Sequence, residues 1–405
     1  LPQKVKGNQG YKVVSDNSWI EIDLGKVAAN ASVIKRKLAP SGASLCAVVK
    51  ADGYGVGADP LVGVLSQCGT DMFAVFGADQ ARALSFRAFT QPILLMAPVR
   101  TLVHPEPLDE LIAQQRLHFT IHDLTHLKQV NQIGIDRSAA IPVHLMLDTG
   151  MSRSGLSFEQ FGAAVKLAQD MPGVELTGLM THAATAEADE QFLNTQRERF
   201  VQAVKMVDPD LQDDVTLHMA NSAATCRGAS YHFDMVRVGL ALLGYDHGLC
   251  EDLQPVMKWC SKLMHVQSYP AGRVVGYGST FTLQRQSLLG VIPVGFADGY
   301  PLSLSSLGKV KVMTDTGEKI VPVIGRVNMD QIVLDLTDIN GSGLAVGTTV
   351  QVIDDTRDGE CSLVKLAEAG NTHAYEMLCR LSWHVPRRYT TTPTASFHQA
   401  STLRV

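Results

Sequence analysis

From Leu45 onward the chain alternates between short apolar runs and longer stretches whose apolar residues recur every three or four positions. The runs at 45–50, 72–76, 93–97, 117–121, 143–148, 174–181, 215–219 and 233–237 are almost continuously apolar. Strands covered on both faces read this way. Between them, stretches such as 79–88, 122–133, 158–168 and 191–207 carry the helical period. Eight strands alternating with helices predict an α/β fold, a parallel TIM-like (β/α)8 barrel. A short strand over 19–24 and a helix over 26–38 precede the rhythm. Beyond about Leu253 the runs at 261–269, 287–294, 309–313, 319–324, 331–336 and 350–353 are separated by brief glycine, proline and aspartate turns. That texture predicts a mostly antiparallel β domain, with small helices near Ala367 and over 375–381. The expected organisation is an N-terminal extension over 1–18, a barrel over 19–255 and a β-rich domain over 256–405.

A parallel barrel presents its chemistry at the C-terminal ends of its strands. Lys50, Arg153, His182, His218 and Arg237 all fall at or just beyond the ends of predicted strands. Length agrees with this division, because a barrel uses about 250 residues and 405 are present. With 35 basic and 40 acidic side chains the net charge is −5, which gives no footing for nucleic acid. No apolar run reaches membrane-spanning length. Seven scattered cysteines without a CxxC pair read as reduced thiols in a cytoplasmic protein, with no metal site. The polar opening from Leu1, without methionine, keeps an alternative open: a processed, periplasmic product.

One stretch concentrates the chemistry: Leu45-Cys-Ala-Val-Val-Lys50-Ala-Asp-Gly-Tyr54-Gly-Val-Gly57. It runs from a buried strand onto a lysine and straight into a glycine-punctuated turn. An amine desolvated there has a lowered pKa and can attack a carbonyl. Gly53, Gly55 and Gly57 let the backbone approach a bulky anion, and Tyr54 brings a hydroxyl to the same space. A lysine beside a phosphate-compatible turn points to a Schiff-base cofactor. Taken alone, such a pattern is more often a snorkelling surface lysine beside an ordinary turn.

The segment Ala47-Val-Val-Lys50-Ala-Asp-Gly-Tyr54-Gly closely resembles the cofactor-lysine motif of alanine racemases, which are fold-type III pyridoxal-phosphate enzymes, and the resemblance extends from Trp19 to Arg388. It implies pyridoxal 5'-phosphate on Lys50 and a homodimer with shared active sites, acting on a small amino acid. Racemisation at Cα needs a base on each face, a carboxylate clamp, a phosphate anchor and an electron sink. By resemblance Lys50 and Tyr277 are the two bases, with Tyr277 supplied by the neighbouring subunit. Arg153 and the Met329 backbone hold the substrate carboxylate. Tyr54, Ser222, Gly239, Leu240 and Tyr375 anchor the phosphate, and His218 and Asn221 shape the pocket. Arg237 faces the ring nitrogen, and as a pure donor it keeps that nitrogen unprotonated. His182 joins Arg237 in a network serving Tyr277. A tyrosine titrating near 10 needs such help to act at neutral pH.

Two positions depart from the family pattern. Many relatives have a carbamylated lysine seven residues before the clamp arginine, where this chain has Met146, and many have cysteine where it has Asn328. Both leave substrate scope open. The expected activity is alanine racemisation, implying by resemblance a role in peptidoglycan precursor supply or D-alanine catabolism. The alternative is a broad-specificity racemase acting on serine, lysine or arginine. A barrel-plus-β decarboxylase lacks its cysteine motif here, and a single-barrel cofactor-binding protein would not need the second domain.

Overall fold

In a computed structural model describing residues 17–207, 214–246, 248–339 and 344–391, eight strands close into a parallel barrel. Numbering strands along the chain from β1 (Ser18–Asp23), the barrel comprises β2 (Ser44–Val48), β3 (Met72–Val75), β4 (Ile93–Leu95), β5 (Leu117–Ile121), β6 (Ile141–Met146), β7 (Val174–Met180), β8 (Thr216–His218) and β9 (Met235–Val238). Parallel pairing of β2 with β9 closes the ring, Ala47 lying opposite Val238. The strands are apolar because both faces are covered, and Leu45, Phe73, Ile93 and Phe119 are almost fully buried. Each such side chain contributes roughly 1.5–3 kcal/mol on leaving water.

Several helices start where the sequence supplies caps. Asp23 accepts from Gly25 N and Lys26 N to open Leu24–Leu38. Ser157 and Gln160 form a reciprocal capping box at Phe158–Asp170, and Asn221 accepts from Ala224 N to open Ser222–Arg227. Such caps satisfy backbone donors that the first turn leaves without partners.

The chain divides into two compact units, one over 23–256 with the segment from Tyr389, the other over 1–22 with 257–388. The extension expected over 1–18 lies outside the described residues as far as position 16. The strand expected over 19–24 forms, but within the second unit, not within the barrel. Strand β1 pairs antiparallel with β10 (Met257–Lys262), Ile20 opposite Trp259. Its inward residues Ile20 and Ile22 are fully buried, so an alternating pattern settled on an antiparallel partner.

The second unit contains a nine-stranded sheet in the order β11-β14-β17-β16-β15-β18-β10-β1-β19. Its remaining members are β11 (His265–Tyr269), β14 (Ser287–Ile292), β15 (Lys309–Thr314), β16 (Gly317–Ile324), β17 (Ile332–Asp335), β18 (Thr349–Ile353) and β19 (Arg387–Thr390), with a small ribbon of β12 (Val274–Val275) and β13 (Phe281–Thr282) beside it. The single run expected over 261–269 is a correction: it contains two strands far apart in the sheet order. The break falls at Leu263 and Met264, whose N–H groups turn to Thr348 O and Val291 O. Short helices occupy Leu363–Ala369 and Ala374–Arg380. No helix among the described residues is long and apolar enough to cross a membrane.

Candidate active site

Lys50 lies two residues beyond β2, with Val49 intervening, at the head of a turn in which Ala51, Asp52, Gly53 and Tyr54 adopt φ of 52°, 53°, 62° and 58°. Gly55 follows at 81°. This is a turn of left-handed helix, held by Gly53 N to Val49 O at 3.0 Å and Gly55 N to Ala51 O at 2.9 Å. Sequence reading anticipated a glycine-punctuated turn but not left-handed backbone at three residues with side chains. Left-handed backbone costs such residues roughly 1–2 kcal/mol each. The surroundings offset that cost: Asp52 Oδ1 accepts from Ala58 N at 2.8 Å, and Tyr54 is buried. The turn carries Lys50 and Tyr54 to the same rim.

Tyr54 meets the segment following β9. A Cβ added to Gly239 would stand 2.1 Å from the Tyr54 hydroxyl oxygen, so only glycine permits the approach. Ser222 Oγ, at the start of its helix, accepts from Gly239 N at 3.1 Å and Ala241 N at 3.3 Å. No hydrogen bond from the Leu240 N–H occurs among the described residues, and Leu240 is buried. A tyrosyl hydroxyl, a seryl hydroxyl, backbone N–H groups and a helix N-terminus therefore converge, the donor set that a phosphate dianion takes.

Arg237 sits inside β9, with only 3% exposure, and no carboxylate pairs with it among the described residues. Its guanidinium donates instead to His218 Nδ1 at 3.0 Å, His182 Nδ1 at 3.1 Å, Thr181 O at 2.8 Å and Met219 O at 3.3 Å. Burial pulls its pKa down to about 10, so it remains charged at neutral pH. His182, two residues past β7, is pushed down to about 3 by burial, then by the charges of Arg237, Arg153 and Lys50. It is a neutral acceptor. His218 ends β8 and is fully buried, its pKa also far below the ordinary value, mainly through burial.

Arg153 lies on the loop after β6. Asp148 Oδ1 accepts from Gly150 N, Met151 N and Ser152 N at 2.9, 2.9 and 3.1 Å, shaping that loop. The Arg153 side chain is exposed and makes no hydrogen bond among the described residues. Met146, at the end of β6, is buried against Gly155. Its side chain offers a guanidinium no more than a weak thioether acceptor. Asn221 caps its helix and donates to Ala183 O at 3.3 Å.

The structure thus brings Lys50, Tyr54, Arg153, His182, His218, Asn221, Ser222, Arg237, Gly239 and Leu240 into the barrel unit. Tyr277, Met329 and Tyr375 belong to the second unit. Tyr277 is 73% and Met329 56% exposed. Gly276 and Gly278, both at φ 75°, bracket Tyr277, and the Met329 carbonyl accepts from Ala297 N at 3.0 Å. Tyr375 lies in Ala374–Arg380.

Sequence reading missed His118 and His144, which extend the Arg237 network, and Gly178, which makes room for it. The signal was there: one histidine within each of the apolar runs Leu-His-Phe-Thr-Ile and Ile-Pro-Val-His-Leu-Met.

Residues 22–247 match the family model described as alanine racemase, N-terminal domain, and 256–389 match alanine racemase, C-terminal domain. An alanine racemase of Synechocystis sp. is 33% identical over 380 residues, 93% of this chain and 99% of the relative. One from Nostoc sp. is 33% identical over 384 residues, 93% and 97% of the two chains. The crystal structure of an alanine racemase from Bartonella henselae with covalently bound pyridoxal phosphate superposes with a TM-score of 0.80 at 26% identity, covering 92% of this chain and 99% of that one. The alanine racemase from E. faecalis gives 0.82 at 28% identity, with 93% and 99% covered.

Proposed function

The chain belongs to the alanine racemase family, and on that premise we propose that it interconverts L-alanine and D-alanine with pyridoxal 5'-phosphate carried on Lys50. The observation that bears the reading is the convergence of three features on the barrel rim. They are Lys50 at its left-handed turn, the anion cradle of Tyr54, Ser222 and Gly239, and the Arg237 guanidinium seated among neutral acceptors. The close approach of Tyr54 to Gly239, and the Leu240 N–H, fit a phosphate group.

When bound, pyridoxal phosphate supplies the electron-accepting ring that acidifies the substrate Cα–H. Tyr54, Ser222, the Leu240 N–H and Tyr375 hold the phosphate, and the Gly239 N–H, which donates to Ser222 Oγ, leaves that hydroxyl's own proton for it. Arg237 offers the ring nitrogen a donor that does not surrender its proton, which limits protonation away from Cα. His182 accepts from Arg237, and His218 and Asn221 keep the pocket wall in place. Arg153 pairs with the substrate carboxylate through its planar fork, aided by the Met329 backbone. Lys50 moves the proton on one face of Cα, taking it from D-alanine. Tyr277 of a second copy moves it on the other face, taking it from L-alanine. High exposure of Tyr277 and Met329 supports a homodimer in which each chain completes the other's site.

A Tyr277→Phe variant is expected to keep the cofactor's visible absorbance and to lose exchange of the L-alanine Cα proton in deuterated water. Unchanged exchange rules out this assignment. A second reading, a broad-specificity racemase, draws on Met146 and on the absence of a hydrogen bond to Arg153 among the described residues. Chirality measured with alanine, serine, lysine and arginine separates the two.

A further inference from the structure

Arg237 does not end at His218. His218 Nε2 lies 2.9 Å from His144 Nδ1, and His144 Nε2 lies 2.9 Å from His118 Nδ1. Three imidazoles therefore stand in file through the barrel, on β8, β6 and β5. Strand β7 lies between β6 and β8, and the residue it places opposite His144 is Gly178. A Cβ there would stand 2.1 Å from His144 Nδ1. A side chain at 178 would close the path.

The direction of the file follows from one fact: a guanidinium has donors only. His218 Nδ1 must accept from Arg237, so its proton is on Nε2 and is donated to His144 Nδ1. The same logic puts the His144 proton on Nε2, donated to His118 Nδ1, and the His118 proton on Nε2. An acceptor is then required at the far end, and the Gln115 backbone lies close enough to His118 there to favour a proton on the ring. All three rings must also be neutral, because an imidazolium donates from both nitrogens and would set two donors face to face. Burial enforces this: His118 is held at about 4, and His144 and His218 far below the ordinary value.

We propose that His118, His144 and His218 are positioning residues, a one-way file that turns its lone pairs toward Arg237 and so aims and keeps charged a guanidinium that has no carboxylate partner among the described residues. Resting on the function proposed above, this places the setting of the ring nitrogen's environment partly in the barrel interior, two residues removed from anything that touches the cofactor. Hydrogen bonds in series polarise one another, so the effect of each ring adds to the next. His118 and His144 touch neither substrate nor cofactor and act only through Arg237.

The test is 15N NMR of histidine-labelled full-length protein, first without cofactor, so that its outcome is independent of the enzymatic reading. Three rings protonated at Nε2 only, unchanged between pH 6 and 8, are expected. A proton on Nδ1, or an imidazolium, at any of the three overturns the proposal. With cofactor bound, His144→Phe is expected to shift the visible absorption maximum and to lower kcat about tenfold with KM within about twofold. His118→Phe should do the same more weakly, and His118→Gln, which restores an acceptor, should recover most of the loss. Wild-type absorbance and kcat in a folded His144→Phe protein also overturn it. Should that variant fail to fold, the His118 pair decides the question: equal kcat and spectra for His118→Phe and wild type refute the file.

Discussion

Replacing Gly239 by alanine tests the cradle with a single carbon atom. The new methyl would begin 2.1 Å from the Tyr54 hydroxyl oxygen, whereas ordinary contact needs about 3.5 Å. Something must move by more than an ångström. Tyr54 is buried and fixed at φ 58° within the left-handed turn, and Gly239 N is bonded to Ser222. The hydroxyl stands at the far end of a side chain and is expected to swing out of the cradle. A hydrogen bond to a charged group contributes about 1.5–3 kcal/mol, so cofactor affinity should fall about 10- to 100-fold. Titrating apoprotein with pyridoxal phosphate by absorbance gives the number directly. Tyr54→Phe removes the hydroxyl without crowding and should weaken binding similarly. If the two changes act through the same oxygen, the double variant should bind about as well as the weaker single one, a coupling that a double-mutant cycle measures. Wild-type affinity for Gly239→Ala, or full additivity in the cycle, refutes the reasoning.

The left-handed turn gives a stability prediction: Ala51→Gly should relieve roughly 1–2 kcal/mol of backbone strain, offset in part by the looser unfolded chain. A rise in apoprotein melting temperature of about 1 °C is expected for a chain of this length, and a fall rejects the strain assignment. Acid gives another. His118 and His122 are held at about 4 and His182 at about 3 in the folded chain, chiefly by burial, against about 6.5 when unfolded. Between these values the unfolded state binds more protons, so stability falls as pH drops from about 6.5 to about 4. Each such histidine steepens the fall by about 1.4 kcal/mol per pH unit. Urea midpoints at pH 7, 5.5 and 4.5 should drop in that order, and a midpoint flat across the range contradicts neutral burial.

Periodicity made the barrel legible because eight doubly covered strands leave an unambiguous pattern, and the strand over Leu117–Ile121 was placed to the residue. Partner choice was less visible. The strand beginning at Ser18 precedes the first barrel helix in sequence yet pairs 239 residues away, with Met257–Lys262, and nothing local encodes that. Lys50 and Tyr54 were found through a motif. Conformation was harder to read, since Ala51 and Asp52 carry no mark of left-handed backbone and adopt it only under tertiary constraint. His144 was passed over for a similar reason: inside an apolar run its polarity shows, but the direction of its two nitrogens exists only once neighbouring strands supply partners.

Placement of β1 bears on how the polypeptide can be cut. The sheet of the second unit draws its penultimate strand from the far side of some 230 intervening residues, Asp23–Val256. A fragment starting at Met257 would leave β10 with a bare flank, a template for pairing with other chains. Supplying 17–23 as a free peptide, or grafting it ahead of residue 257 through a short linker, is the natural way to make that fragment soluble.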